Sequence, residues 1–239
     1  MLIPVFCIIF CAGILQGFTG FGYSLFALPL LCLFAPAVWA VPVIAVSSLA
    51  LNIMVLSSSW SSLKLSGFIP LAITGVLFTP VGAWMLSSLS DTLVRVIIGL
   101  TVTVVSIISL SRWAPHIKRS SKGMAITGAF SGIFNGLTTF SGPPAVIYLT
   151  ATETEKSSFR ANLSAFFLVL TLVAIPSFIG TGVTSAANLK QALIFLPAAA
   201  MGGGVGILLA NRVDSSVFRR VTLVVLSLLG AFGAVQAIL

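Results

Sequence analysis

The sequence predicts an all-α integral membrane protein built from two inverted repeats. Of its 239 residues, 58% are hydrophobic and 7% are charged, whereas a soluble domain has about 25% charged residues. The apolar runs are long and uninterrupted, which is typical of helical spans and not of barrel strands that alternate at every second residue. Two further observations, a motif that occurs twice and an uneven distribution of basic residues, predict the repeats and their inversion.

The first element is an apolar block at residues 2–36 that contains the motif GILQGFTGFG at residues 13–22. Each of its four glycines destabilises a helix by about 1 kcal/mol relative to alanine. Backbone groups freed inside a membrane are tolerated only where protein or a water-filled cavity covers them. The motif therefore predicts a broken helix that lines a cavity.

The same motif returns 119 positions later (132 minus 13) as GIFNGLTTF at residues 132–140. Gln16 of the first copy is matched by its shorter homologue Asn135 in the second. Paired broken segments in the two halves of a membrane protein are the best sequence indicator of a transporter's binding site. Two glycine-rich helices that only pack closely are the structural alternative.

The other elements follow the same order in each half. Predicted spans follow the first broken block at 38–57, 67–86 and 92–110, and they follow the second block, 124–150, at 160–179, 189–210 and 219–239. Pro176 is expected to kink or end its span. The later parts of the halves correspond at a shift of 124 (206 minus 82). Residues 1–111 are therefore the first repeat, 112–123 a basic linker and 124–239 the second repeat.

The basic residues decide whether the broken blocks cross the membrane. A straight helix of about 35 residues would be about 52 Å long, but two half-depth helices of about ten residues fit a core of about 30 Å. If the second block turns back, ten of the twelve Lys and Arg residues share one face, whereas a crossing block divides them six and six. The positive-inside rule favours the re-entrant hairpin, with Lys64, Lys118, Lys156 and Arg212 cytoplasmic and Arg95 and Lys190 external.

Internal similarity gives the first block the same form. Each half is then one broken re-entrant helical hairpin and three transmembrane helices. Because three crossings are an odd number, the halves are predicted to be inverted relative to each other, with the hairpins entering from opposite faces. The linker at residues 112–123 is predicted to be cytoplasmic.

The polar residues at the two breaks are the candidate binding residues. Each break is expected to present the N-terminus of a half-helix at mid-membrane, where unpaired N–H groups and a partial positive charge suit an oxyanion. We predict one anion site between the hairpin tips, formed by Gln16, Thr19, Gly20, Phe21, Gly22, Asn52, Asn135, Thr138, Thr139, Ser141, Gly142 and Arg160. Asn52 alternatively bonds a neighbouring helix, and Arg160 alternatively anchors its span at the cytoplasmic face.

Several classes of function are disfavoured. The four acidic residues lie in or beside loops, which argues against a buried proton relay or a cation site built on carboxylates. No histidine lies in a predicted span to activate Ser141, so we expect no enzymatic activity, and no cofactor or metal. The basic excess lies in interhelical loops and does not indicate nucleic acid. The expected partners are a small anion and the lipid bilayer; a coupling ion and a homodimer stay open.

The motifs QGFTGFG at 16–22, GLTTFSGPP at 136–144 and FRANL at 159–163 resemble those of the TauE/SafE sulfite-exporter family. The resemblance covers nearly the whole chain. It implies a secondary transporter, or permease, of the bacterial inner membrane for sulfite or an organosulfonate, in a family that includes exporters and a toluenesulfonate uptake permease. Alternating access around the midplane site is the expected mechanism, and a passive anion channel of the same architecture is the alternative.

Overall fold

The computed structural model describes residues 2–63, 69–110, 120–152 and 156–210. Within these ranges the chain is helical and contains no strand. The helices are α1 (Leu2–Thr19), α2 (Tyr23–Leu31), α3 (Ala37–Ser59), α4 (Ile69–Ser88), α5 (Asp91–Leu110), α6 (Ser121–Thr138), α7 (Gly142–Thr152), α8 (Lys156–Gly180), α9 (Ala186–Ala192) and α10 (Leu196–Ala210). The predicted span at 219–239 and most of the predicted linker lie outside the described residues.

Within the described part of the chain, five helical segments are long and apolar enough to cross a membrane: Leu2–Thr19, Ala37–Ser62, Ile69–Ser88, Ser158–Gly180 and Ala186–Ala210. Large apolar side chains on their outer faces are exposed, among them Leu77, Trp84 and Leu208, as lipid contact requires. The prediction of an all-helical, multi-pass membrane protein is confirmed. Pro176 does not end its helix, since α8 continues to Gly180.

Each broken block consists of a long helix followed by a short one. Helices α1 and α6 have 18 residues each, or about 27 Å, whereas α2 has 9 and α7 has 11. The prediction of two arms of about ten residues is therefore wrong for the first arm of each block. Helix α6 also begins at Ser121 and is capped by Ser120, whose hydroxyl accepts the Gly123 N–H at 3.0 Å, so residues 121–123 belong to the helix and not to the linker.

Helices of the two halves pack in pairs, with one helix from each half: α1 lies against α10, and α4 lies against α6. We call this arrangement exchanged packing, and α10 and α4 the exchanged helices. A Cβ atom on Gly17 would lie 2.2 Å from the carbonyl oxygen of Gly203, and a Cβ atom on Gly136 would lie 2.1 Å from that of Thr79. These two contacts are the same contact in the two halves, because Gly17 matches Gly136 at a shift of 119 and Thr79 matches Gly203 at a shift of 124. Backbone touches backbone at both interfaces.

The reverse contacts repeat the correspondence. A Cβ atom on Gly82 would lie 2.1 Å from the carbonyl oxygen of Ile133, and one on Gly206 would lie 2.2 Å from that of Ile14. Small residues allow such close approach of helices in membranes. The long arm of each broken block is therefore held by a helix of the opposite half.

An ion pair ties α5 to the turn between α2 and α3. The Asp91 carboxylate accepts the Ala37 N–H at 2.6 Å and the Arg95 Nε–H at 2.6 Å. The two terminal nitrogens of Arg95 donate to the carbonyl groups of Cys32 and Ala35. These bonds satisfy carbonyl groups at the C-terminal end of α2 and one amide at the start of α3, so the short arm of the first block is fixed at its far end.

Candidate functional site

The first break is made by glycines. Gly20 and Gly22 adopt φ angles of 86° and 96°, in the left-handed region that favours glycine. The Gly20 N–H donates to the Gln16 carbonyl group at 2.7 Å and closes the end of α1. The chain then turns at Gly22, which is the N-cap of α2 and provides no side-chain cap.

The second break reaches the same shape with other residues. Thr139, which corresponds to Gly20, has a φ angle of 57°. Its N–H donates to the Asn135 carbonyl group at 2.8 Å, and the Phe140 N–H donates to that of Phe134 at 3.2 Å, a pairing that satisfies the last carbonyl groups of a helix. Helix α7 then begins at Gly142.

Both breaks line a single cavity of about 30 Å³, which is room for two or three water molecules. Among the residues that the structure describes, no Asp, Glu, Lys, Arg or His lines it. The first half contributes Gln16, Gly22, Tyr23, Ser24, Leu25, Ser48 and Asn52, and the second half contributes Asn135, Thr139, Phe140, Ser141, Gly142, Phe167 and Thr171. The two matched motifs therefore meet at one uncharged polar cavity.

Seven of the twelve candidate residues lie in this lining: Gln16, Gly22, Asn52, Asn135, Thr139, Ser141 and Gly142. Thr19, Gly20, Phe21, Thr138 and Arg160 are not in it. The Thr19 hydroxyl lies 2.8 Å from the Leu15 carbonyl oxygen, and the Thr138 hydroxyl lies 2.9 Å from that of Phe134. The Thr138 hydroxyl donates to its own helix, whereas the Thr19 hydroxyl also lies 2.6 Å from the Phe21 carbonyl oxygen and accepts the Phe21 N–H at 3.2 Å, so it bridges the end of α1 and the break.

The amide side chains that line the cavity are buried and hydrogen-bonded to neighbouring helices. Gln16 Nε2 donates to Asn52 Oδ1 at 2.7 Å, and Asn135 Nδ2 donates to the Leu170 carbonyl oxygen at 3.2 Å. Gln16 and Asn135 are each 3% exposed. The structural alternative for Asn52 is confirmed, since it bonds Gln16 of α1; it also lines the cavity, and its contact with a ligand stays a prediction. Each amide keeps further polar atoms for a ligand.

Arg160 lies against the first break but outside the cavity. Its Nη2 donates to the Gly17 carbonyl group at 3.0 Å, and its Cγ lies 3.2 Å from the Cβ position of Gly20. The guanidinium therefore sits at the C-terminal end of α1, where the helix dipole is negative. Its Nε has no hydrogen-bond partner within the described part of the chain.

The candidate residues omitted several that line the cavity, above all Ser48 and Phe167. These two correspond at a shift of 119 (167 minus 48), as do Asn52 and Thr171. Extending the repeat from the breaks into the following span would have found them. Tyr23 was also missed; it is 1% exposed, and its hydroxyl donates to Ser47 Oγ at 2.7 Å.

Two broken helices that meet at a polar cavity inside a bundle of apolar helices are typical of membrane transporters. The family model for the sulfite exporter TauE/SafE matches residues 5–233, and the chain belongs to this family. The resemblance seen in the motifs is thereby confirmed. Members of the family are transporters and not enzymes.

Among curated relatives, the chain is similar to the "Probable sulfite/organosulfonate exporter TauE" of Cupriavidus necator, with 26% identity over 166 residues. The alignment covers 69% of this chain and 63% of that protein, which is less than two thirds of its length. No solved structure matches the chain. Within the described ranges, no group of His, Cys, Asp and Glu is placed to hold a metal ion.

Proposed function

We propose that the protein is a secondary transporter that exports sulfite or a small organosulfonate across the bacterial inner membrane. The observation that carries the proposal is the single uncharged cavity lined by both breaks. Membership of the TauE/SafE family supports the substrate class. The name of the Cupriavidus necator relative favours export over uptake.

The cavity can bind an anion without a cationic side chain. The first N–H groups of a helix have no acceptor within the helix, and their partial positive charge attracts an oxyanion. Serine and amide side chains supply further hydrogen bonds, and bonds to a charged group contribute about 1.5–3 kcal/mol each. A site that replaces hydration by neutral donors also allows release, which transport requires.

The packing of α3 against α8 supports re-entrant hairpins. Val41, near the start of α3, lies in one hydrophobic cluster with Phe178 near the end of α8. Leu56, near the end of α3, lies in another cluster with Leu163 near the start of α8. This distribution is expected of antiparallel helices. If α4 and α5 both cross, only a second block that turns back makes α8 antiparallel to α3.

The long arms set a condition on this arrangement. A helix of about 27 Å ends at the midplane only if it is tilted or begins outside the hydrocarbon core. Helix α1 packs against α10, and α4 packs against α6, so each pair joins helices of both halves. This exchange supports inverted repeats that move as two bodies, each built from helices of both halves. In alternating access, one body would rock against the other around the cavity between the hairpin tips.

Reconstitution in liposomes tests the proposal. We expect sulfite flux that saturates with concentration and that is accelerated by sulfite on the opposite side. The Ser141→Ala variant lacks one cavity hydroxyl. At the same protein content, it should therefore need a higher sulfite concentration than the wild type to reach half-maximal flux. Flux that rises linearly with concentration and shows no such acceleration would indicate a passive channel. Absence of flux for both sulfite and methanesulfonate would refute the proposed substrate class.

A further inference from the structure

We propose that the two half-helices contribute unequally, and that the oxyanion receives its backbone hydrogen bonds from the N-terminus of α2 while the N-terminus of α7 is closed to it. This inference rests on the proposed function and specifies how the anion is oriented in the cavity. The two helix ends differ in their backbone donors and in the side chains beside them, and one cavity hydroxyl has no partner in the described part of the chain.

The N-terminus of α2 offers three consecutive backbone donors. The first hydrogen bond within the helix runs from the Phe26 N–H to the Gly22 carbonyl group at 3.0 Å. The N–H groups of Tyr23, Ser24 and Leu25 therefore precede the helical ladder, and the described part of the chain provides them with no acceptor. All three residues line the cavity.

The N-terminus of α7 has lost most of its donors. Ser24 and Leu25 correspond to Pro143 and Pro144 at the shift of 119. Proline carries no backbone N–H, and it is favoured in the first turn of a helix for that reason. Of the three matching positions only Gly142 keeps a donor.

The side chains that lie beside the two helix ends also differ, and the larger one is at α7. Phe167 places its ring over the start of α7, with its Cζ atom 3.6 Å from the Cβ position of Gly142. The corresponding residue beside α2 is Ser48, whose hydroxyl donates to the Ala45 carbonyl group of its own helix at 2.9 Å. The residue beside the α2 end is thus small, whereas an aromatic ring contacts the first residue of α7.

An unpaired hydroxyl indicates that the cavity takes a polar ligand. Ser141 lines the cavity and is only 5% exposed. It makes no hydrogen bond to the described part of the chain, so its hydroxyl is available to a ligand in the cavity. An anion on the α2 amides with one oxygen towards Ser141 would satisfy it. The organic substituent of a sulfonate would then point towards Phe140 and Phe167.

Exchanging the residues of the two helix ends tests the inference by backbone chemistry. Ser24→Pro copies Pro143 and removes one N–H in the first helical turn, where proline is tolerated. Ser24→Ala removes only the hydroxyl, and Pro143→Ala returns one N–H to α7. Affinities of the purified, full-length variants for sulfite and methanesulfonate are measured by titration calorimetry in detergent, after thermal unfolding has confirmed that each is folded.

We expect Ser24→Pro to weaken binding about ten- to a hundredfold relative to Ser24→Ala, the range for a hydrogen bond to a charged group. Pro143→Ala should bind within about twofold of the wild type. If Ser24→Pro does not fold, Leu25→Pro, which copies Pro144, gives the same comparison.

Equal affinity of Ser24→Pro and Ser24→Ala would overturn the inference. Tenfold tighter binding by Pro143→Ala would also overturn it, and this measurement does not depend on whether the α2 variants fold. Either result with a wild type that binds sulfite leaves the proposed function intact. A wild type that binds neither probe overturns both.

Discussion

The two breaks occupy the same place in the fold but are built from different residues. The first uses Gly20 and Gly22, both with positive φ angles, and is followed by residues that keep their backbone N–H groups. The second uses Thr139 at a φ angle of 57° and is followed by two prolines. Threonine in this conformation is strained, whereas proline restricts the chain before folding. The second tip therefore has fewer backbone conformations available to it than the glycine-rich first tip.

The helices behind the breaks have not diverged in this way. Gly17 and Gly136 make the same backbone contact with the exchanged helix in both halves. No other residue fits at such a contact, because any Cβ atom would overlap a carbonyl oxygen. Close packing therefore requires the glycines of the long arms, whereas the residues of the two tips have diverged.

The largest effect is expected at these packing glycines. Gly17→Ala and Gly136→Ala should each destabilise the protein by about 3 kcal/mol or more, because the added methyl group meets backbone that cannot move aside. Thermal unfolding in detergent and the yield of folded protein measure the effect. Gly180→Ala is the matched control, since nothing lies within 4 Å of its Cβ position. Tolerance of only one of the two substitutions would show that the interfaces are not equivalent.

The next effect concerns the paired amides of the cavity. Gln16→Ala and Asn135→Ala should each weaken sulfite binding about ten- to a hundredfold, because each removes polar atoms from a buried site for a charged ligand. Calorimetric titration of folded variants measures the affinities. The exposed residues Gln191 and Asn188 provide matched controls through Gln191→Ala and Asn188→Ala. Loss of affinity in only one cavity variant would assign the site to one break and make the other structural.

The smallest effect is expected at Arg160, whose Nη2 donates to the Gly17 carbonyl group beside the first break. Its counterpart at the shift of 119 is Val41, so the second break has no matching cation. Arg160→Lys should lower the transport rate about two- to tenfold with stability near that of the wild type, because a planar guanidinium donor at the end of α1 is lost. Initial flux into liposomes measures the rate, with Lys190→Arg as the control. Wild-type flux by Arg160→Lys would leave Arg160 as an anchor of its span.

Much of this architecture could be predicted because membranes restrict the chain so strongly. Apolar runs locate the helices, and the predicted spans at 38–57 and 67–86 agree closely with α3 (Ala37–Ser59) and α4 (Ile69–Ser88). The lengths of the long arms could not be predicted. The motif glycines weaken an isolated helix, but here they allow α1 and α6 to pack closely against α10 and α4, and this packing stabilises the helices. Tertiary packing overrode the local preference.

The site was predicted where polar residues stand out and missed where they do not. Gln16 and Asn135 are conspicuous in apolar blocks, and both line the cavity. Ser48 is one of several serines in an apolar span. Because its hydroxyl bonds the Ala45 carbonyl group of its own helix, the sequence alone does not distinguish it from a serine with a purely structural role. Phe167 carries no polar signal, and only its match to Ser48 identifies it.

The exchanged packing of the long arms also has a consequence for biosynthesis. Gly17 emerges from the ribosome 186 residues before its partner Gly203 (203 minus 17), a delay of about 10 to 40 s at 5–20 residues per second. Gly136 follows its partner Thr79 by only 57 residues (136 minus 79), or about 3 to 11 s. Helix α1 must therefore wait in the membrane with its glycine face uncovered until α10 has been translated, whereas α6 finds α4 already in place.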